Sequence, residues 1–172
     1  MLLPRPQPVY PPDLPIAELR TAELVPVACT RLWVMALREP EVGHPSWQGG
    51  LEAAGIAKLG VPALDALLRI GATTARRSLD VRCMRCAHLG ADEAALLQML
   101  SLLQSRREEQ AGAILADWLP RAAARLALGP AEGFARALAL GGLDLPLRHA
   151  QAATIHRLAP TAHADRGLSL VQ

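Results

Sequence analysis

Apolar positions recur along most of the chain at the three- and four-residue spacing of helices that bury one face. Ile16 to Arg38 carries this period, with Pro26 as a point of interruption. The stretch after Pro26 is apolar over a wide face, which places Cys29, Leu32, Trp33 and Met35 inward. Glu39-Pro40 ends it, because a residue before proline avoids the helical region. A short helix over about 46–54 follows, with Ser46 as its cap. The next is predicted to open at Val61-Pro62, proline being favoured at the first helical position. It runs to about Arg76 with Leu64, Leu67, Leu68, Gly71 and Ala75 as its stripe.

The stretch 91–104 is the most apolar. Leu96, Leu97, Met99, Leu100, Leu102 and Leu103 cover most of its circumference, which predicts the central helix of a bundle, with acids at its positive end and Asp92 as cap. Glu109–Leu119 continues the pattern. Arg121–Leu128 is predicted to close at Gly129-Pro130, and Glu132–Leu140 to form a separate helix stopped by Gly141-Gly142. Beyond Leu143 the pattern weakens, with one more short helix expected over 149–156.

Two stretches break the rhythm. Residues 1–15 contain six prolines, which rules out helix or central strand and predicts an extended arm, with Val9 and Tyr10 as its anchors. Leu79, Val81 and Cys83 alternate with Asp80 and Arg82 at the period of a strand, and Cys83, alone or with Cys86, is expected to pack as a small apolar residue in the core. The best available pairing partner is Leu168–Val171. The expected fold is therefore all-α: an irregular bundle of about six or seven helices with a possible short extended segment near 78–84. The helical domain occupies 16–145, between the arm (1–15) and a C-terminal helix or tail (146–172). Breaker spacings are irregular, so no internal repeat is expected.

Composition narrows the functional classes. At 172 residues the chain suits one domain. Hydrophobic residues make up 51% and aromatics only 3%, so the core is built from Leu, Ala, Ile and Val. A net charge of +2 is far from the basic balance of a dedicated nucleic-acid binder, so nucleic acid is not the expected partner. The N-terminus lacks the pattern of a signal peptide and no window resembles a membrane span. Three cysteines do not suggest a disulfide framework. The expectation is a cytoplasmic protein.

Candidate chemistry concentrates in Arg76–Gln104. Cys83-Met84-Arg85-Cys86 is a Cys-x-x-Cys pair, a spacing that lets two sulfurs grip one zinc or iron. Four ligands are needed, and Cys29 and His88 are the residues that would complete a Cys3His set. The same pair reads equally as a redox dithiol, with Arg82 and Arg85 beside it to favour thiolate. Arg76, Arg77, Arg82 and Arg85 place four guanidinium groups within ten residues, suited to a small anionic ligand. His44, near Trp47, is a candidate pocket acid or base.

No Gly-x-Ser-x-Gly, His-Glu-x-x-His or phosphate-loop motif occurs. The leading expectation is a non-enzymatic helical adaptor or regulator that binds another protein, with no resident cofactor. Homodimerisation would use 91–104 or 109–119. The alternatives are a thiol or metal (zinc or iron) protein acting through Cys83 and Cys86, and a small-anion binder using the arginine cluster.

Overall fold

The computed structural model describes residues 10, 11 and 13–148. Over these, a 3-10 turn (Ile16–Glu18) precedes six α-helices: α1 (Thr21–Arg38), α2 (Trp47–Ala53), α3 (Ala57–Thr74), α4 (Ala91–Gln104), α5 (Glu108–Trp118) and α6 (Arg121–Leu140). The described residues contain no strand. One isolated antiparallel bridge joins Pro15 to His88. The molecule is thus the all-α irregular bundle expected from the sequence. Val9, the stretch 149–156 and Leu168–Val171 lie outside the described residues.

The core forms around α4. Leu97, Met99 and Leu100 have no exposed surface, and even the polar Gln98 and Ser101 are buried. Each large apolar side chain taken from water contributes about 1.5–3 kcal/mol. Helices α1, α5 and α6 pack around α4, and α6 makes its most extensive pairing with α3. That pairing is close because its surfaces are small. A Cβ added at Gly133 would lie 3.4 Å from the Cβ of Ala63.

Three helices ignore breakers that the sequence emphasised. Helix α1 runs unbroken through Pro26, and α3 begins at Ala57 rather than at Val61-Pro62. Both prolines lie in the second turn, where each removes one early backbone hydrogen bond. Helix α6 is one element from Arg121 to Leu140, passing through Gly129-Pro130. An interior proline costs about 3 kcal/mol. Ala124, Ala127, Ala131, Phe134, Ala135 and Leu138 form one buried stripe on both sides of it, and packing on α3 and α4 outweighs the local penalty.

The flanks also enter the core. Tyr10 and Leu14, inside the proline-rich arm, are buried. Leu14 O accepts from Leu89 N at 2.9 Å, and Ile16 N donates to Ala87 O at 2.8 Å. The stretch 14–16 therefore runs antiparallel to 87–89. After α6, Leu145 is buried and its N–H donates to Gln104 Oε1 at 2.8 Å.

Candidate functional site

Helix α3 ends at Thr74, and residues 75–90 return without regular structure to the start of α4. Such a loop has no ladder to satisfy its backbone groups, so partners must come from elsewhere. They come from the first turn of α4. Its N-cap is Gly90, not Asp92. Asp92 instead accepts from Arg77 at 2.7 and 2.8 Å and from Asp80 N at 2.6 Å. Asp80 Oδ2 accepts from Ala91 N at 2.9 Å, so the loop is stitched to the helix in both directions. Burial pushes the Asp92 carboxyl up, but the Arg77 guanidinium and the Asp80 N–H outweigh it and hold it below the ordinary carboxylate range. Gly90 has to be glycine here, because a Cβ would lie 2.3 Å from Asp80 O.

The strongest stitch is Arg31–Glu93. Glu93, third in α4, reaches back to Gly90 N at 2.8 Å, as a helix-capping glutamate does. It also accepts from Arg82 N at 3.1 Å. Arg31 projects from α1 and is 4% exposed. Its Nε and Nη2 donate to the two Glu93 oxygens at 2.7 and 2.8 Å. Its remaining hydrogens go to backbone carbonyls: Nη1 to Cys83 O at 3.2 Å and Cys86 O at 2.8 Å, and Nη2 to His88 O at 2.8 Å. A guanidinium has five N–H donors in a rigid fork, and these five bonds use them all. A buried charge is tolerated on those terms.

Arg31 therefore holds the Cys-x-x-Cys loop from beneath. The loop closes on itself through Cys86 N to Cys83 O at 3.1 Å. Cys83 is exposed and Cys86 half-buried, which corrects the expected packing of Cys83 in the core. Leu79 and Val81 do turn partly inward. The neighbouring Cys86 thiol holds the Cys83 thiol below its ordinary range, against a desolvation cost. The backbone N–H groups of Arg85 and Cys86 and the Arg31 charge act in the same direction. The Cys83 side chain, with desolvation, pushes the Cys86 thiol up. The pair is thus asymmetric: an exposed sulfur favoured as thiolate beside one favoured as thiol.

Cys29 lies elsewhere. It is buried against α2, where a Cβ added at Gly50 would be 2.9 Å from its sulfur, and burial pushes its thiol up to about 11. His88 lends its carbonyl to Arg31, and its side chain is exposed. Among the described residues no three His, Cys, Asp or Glu side chains gather into a group that would hold a metal ion. Cys29 and His88 are therefore not brought to Cys83 and Cys86.

The arginine cluster is divided. Arg77 pairs with Asp92 and Asp117, and Arg82 with Asp80 and Asp13. Arg76 and Arg85 are exposed and form no ion pair among the described residues. His44 and Trp47 border one cleft, with the His44 ring 3.0 Å from Glu39 O. Arg31 is the residue that sequence reasoning missed. The signal was an arginine set among Cys29, Leu32 and Trp33 in a helix apolar on a wide face. No helix in the described residues is long and apolar enough to cross a membrane. Comparison with known protein families, with curated proteins and with solved structures finds no match.

Proposed function

We propose that this is a helical thiol protein that acts through Cys83 and Cys86 on a disulfide or thiol of a partner protein. The observation that carries the reading is the asymmetric pair on a braced loop: exposed Cys83 favoured as thiolate, and half-buried Cys86 in the same turn as the proton-holding partner. In this reading the protein-binding role expected of the helical scaffold takes the form of thiol exchange.

The step balances without a cofactor. The Cys83 thiolate attacks one sulfur of a partner disulfide, and the other partner sulfur leaves as a thiolate that takes up a proton. Cys86 gives its proton to solvent and attacks the Cys83 sulfur. The intramolecular disulfide closes as the second partner thiolate leaves, so two electrons pass from the dithiol to the partner. Arg31 fixes both cysteine carbonyls, which keeps the attacking and resolving sulfurs in one turn.

Alkylation kinetics followed by mass spectrometry test this. Cys83 is expected to react faster than Cys86, and Cys29 slowest. The pH dependence of Cys83 should turn over below that of an ordinary thiol. Equilibration with a glutathione redox couple should produce a Cys83–Cys86 disulfide. Equal rates at Cys83 and Cys86 with no such disulfide would overturn the proposal.

The same backbone N–H groups would also favour a metal-bound thiolate at Cys83. The zinc or iron alternative therefore has its own readout: stoichiometric metal in the purified protein, lost on Cys83→Ser.

A further inference from the structure

A cavity of about 210 Å³ lies between α1, α3 and the end of α5, with Arg77, Leu79 and Val81 of the loop also lining it. Its wall is mostly apolar, with Trp33, Leu68 and Trp118 among the large side chains. It stays open because α3 presents Gly71, Ala72 and Ala75 there. A space of this size can take a small apolar group: an enclosed cavity of about 150 Å³ takes a benzene molecule.

Two features of the wall point to a ligand rather than to a packing gap. Thr30 is 2% exposed, and its Oγ1 has no hydrogen-bond partner among the described residues. A buried hydroxyl left unpaired is unfavourable, and a threonine in a helix can usually bond back to its own preceding turn. The wall's charged residues are Arg38 and Arg77, with no acid among them. Arg77 is engaged by Asp92 and Asp117. Arg38 is exposed and has neither an ion pair nor a hydrogen bond among the described residues. It stands beside Leu37, which is 54% exposed, at the open side of the cavity.

Thr30 and Arg38 are eight residues apart on α1. At the helical rise this is about 12 Å along the axis. The wall thus offers a cation at one end, an unpaired hydroxyl at the other and apolar surface between.

We propose that this cavity binds a small amphipathic carboxylate, its carboxylate on Arg38, an apolar body of about eight carbons in the cavity, and a polar group at the far end meeting Thr30. The site shares no residue with the dithiol, so each proposal stands or falls alone.

The probes are octanoate, 8-hydroxyoctanoate and 1-octanol, each titrated into the full chain by calorimetry and by thermal unfolding. Both carboxylates are expected to bind and to raise the unfolding midpoint with concentration. 8-Hydroxyoctanoate should bind more tightly than octanoate, and octanol more weakly. Arg38→Ala should weaken both carboxylates about tenfold and leave octanol unchanged. Thr30→Val should remove the advantage of the hydroxy acid while sparing octanoate. Ala72→Phe, at an exposed position whose side chain would fill the cavity, should abolish binding of all three with the helical circular dichroism intact. No binding by either carboxylate, or binding indifferent to both Arg38→Ala and Ala72→Phe, would overturn the proposal.

Discussion

Two glutamates in this protein begin from the same local chemistry and end with different work. Glu23 and Glu93 each sit third in a helix and reach back to the N–H just before it, at 2.8 Å in both cases. Each is buried, and each receives two bonds from a distant arginine. At Glu23 the arginine is Arg148, past the end of α6, and the Tyr10 hydroxyl adds a bond at 2.6 Å. Arg148 also lies over the Tyr10 ring, 5.0 Å from its centre. This site ties the two flanks of the bundle together. At Glu93 the arginine is Arg31, within α1, and its other hydrogens hold three carbonyls of the cysteine loop. What differs is the second use of the guanidinium. Arg148 is 28% exposed and clasps the Glu23 and Tyr10 side chains, whereas Arg31 is enclosed and braces a whole segment.

Removing each brace tests that difference. Arg31→Met strands the Glu93 carboxylate in the interior and deprives three carbonyls of their donor. The expected loss is about 3–5 kcal/mol in urea unfolding. Adding Glu93→Leu should recover less than half, since the carbonyls stay unpaired. If the double variant regained full stability, the brace would be no more than an ion pair. The reactivity of Cys83 should also change in Arg31→Met.

Glu23→Ala leaves the Tyr10 hydroxyl and Arg148 without their acceptor, a loss of about 2–3 kcal/mol by the same measurement. Its alkylation rate at Cys83 should match that of the unaltered protein, and a change would mean the two sites are coupled. Gly90→Ala drives a Cβ into Asp80 O and should cost about 2 kcal/mol while freeing the loop, seen as faster amide exchange at Asp80 and Arg82. Arg148→Ala, at the more exposed clasp, is expected to lose about 1 kcal/mol.

Acid titration gives the smallest effect. Burial raises the Glu23 carboxyl, but the bonds from Arg148, Tyr10 and Arg20 N outweigh it and leave it lowered. Asp92 is lowered in the same way, by Arg77 and Asp80 N. A carboxylate with a depressed folded pKa contributes stability above its unfolded value, near 4, and loses it as pH falls through the folded value. Each should therefore contribute to the acid-induced loss of stability. Glu23→Gln should flatten that part of the stability curve, and an unchanged curve would remove Glu23 from the account.

The sequence marked much of this without its geometry. The first-turn acids of 91–104 were legible from helix polarity, and so was its central position. The cysteine pair was legible from its spacing. Arg31 was not, because an arginine on an apolar helix announces no partner, and its acceptors lie 52 to 62 residues away. Of the four arginines that drew notice in the sequence, Arg77 and Arg82 are occupied by neighbouring carboxylates and Arg76 and Arg85 form no ion pair among the described residues, while Arg38 drew no notice.

By itself, then, the sequence determined the period-driven features: which segments are helical and which helix is central. These follow from local spacing and composition, which act within a few residues. Tertiary structure decided where helices ignore their breakers, as at Pro26, Pro62 and Gly129-Pro130, because a continuous buried face outweighs one lost hydrogen bond. It also decided that Cys83 faces solvent beside Cys86 while Cys29 packs on α2. Burying Arg31 required five acceptors, and only the folded chain brings Glu93 and the carbonyls of Cys83, Cys86 and His88 within reach of one guanidinium.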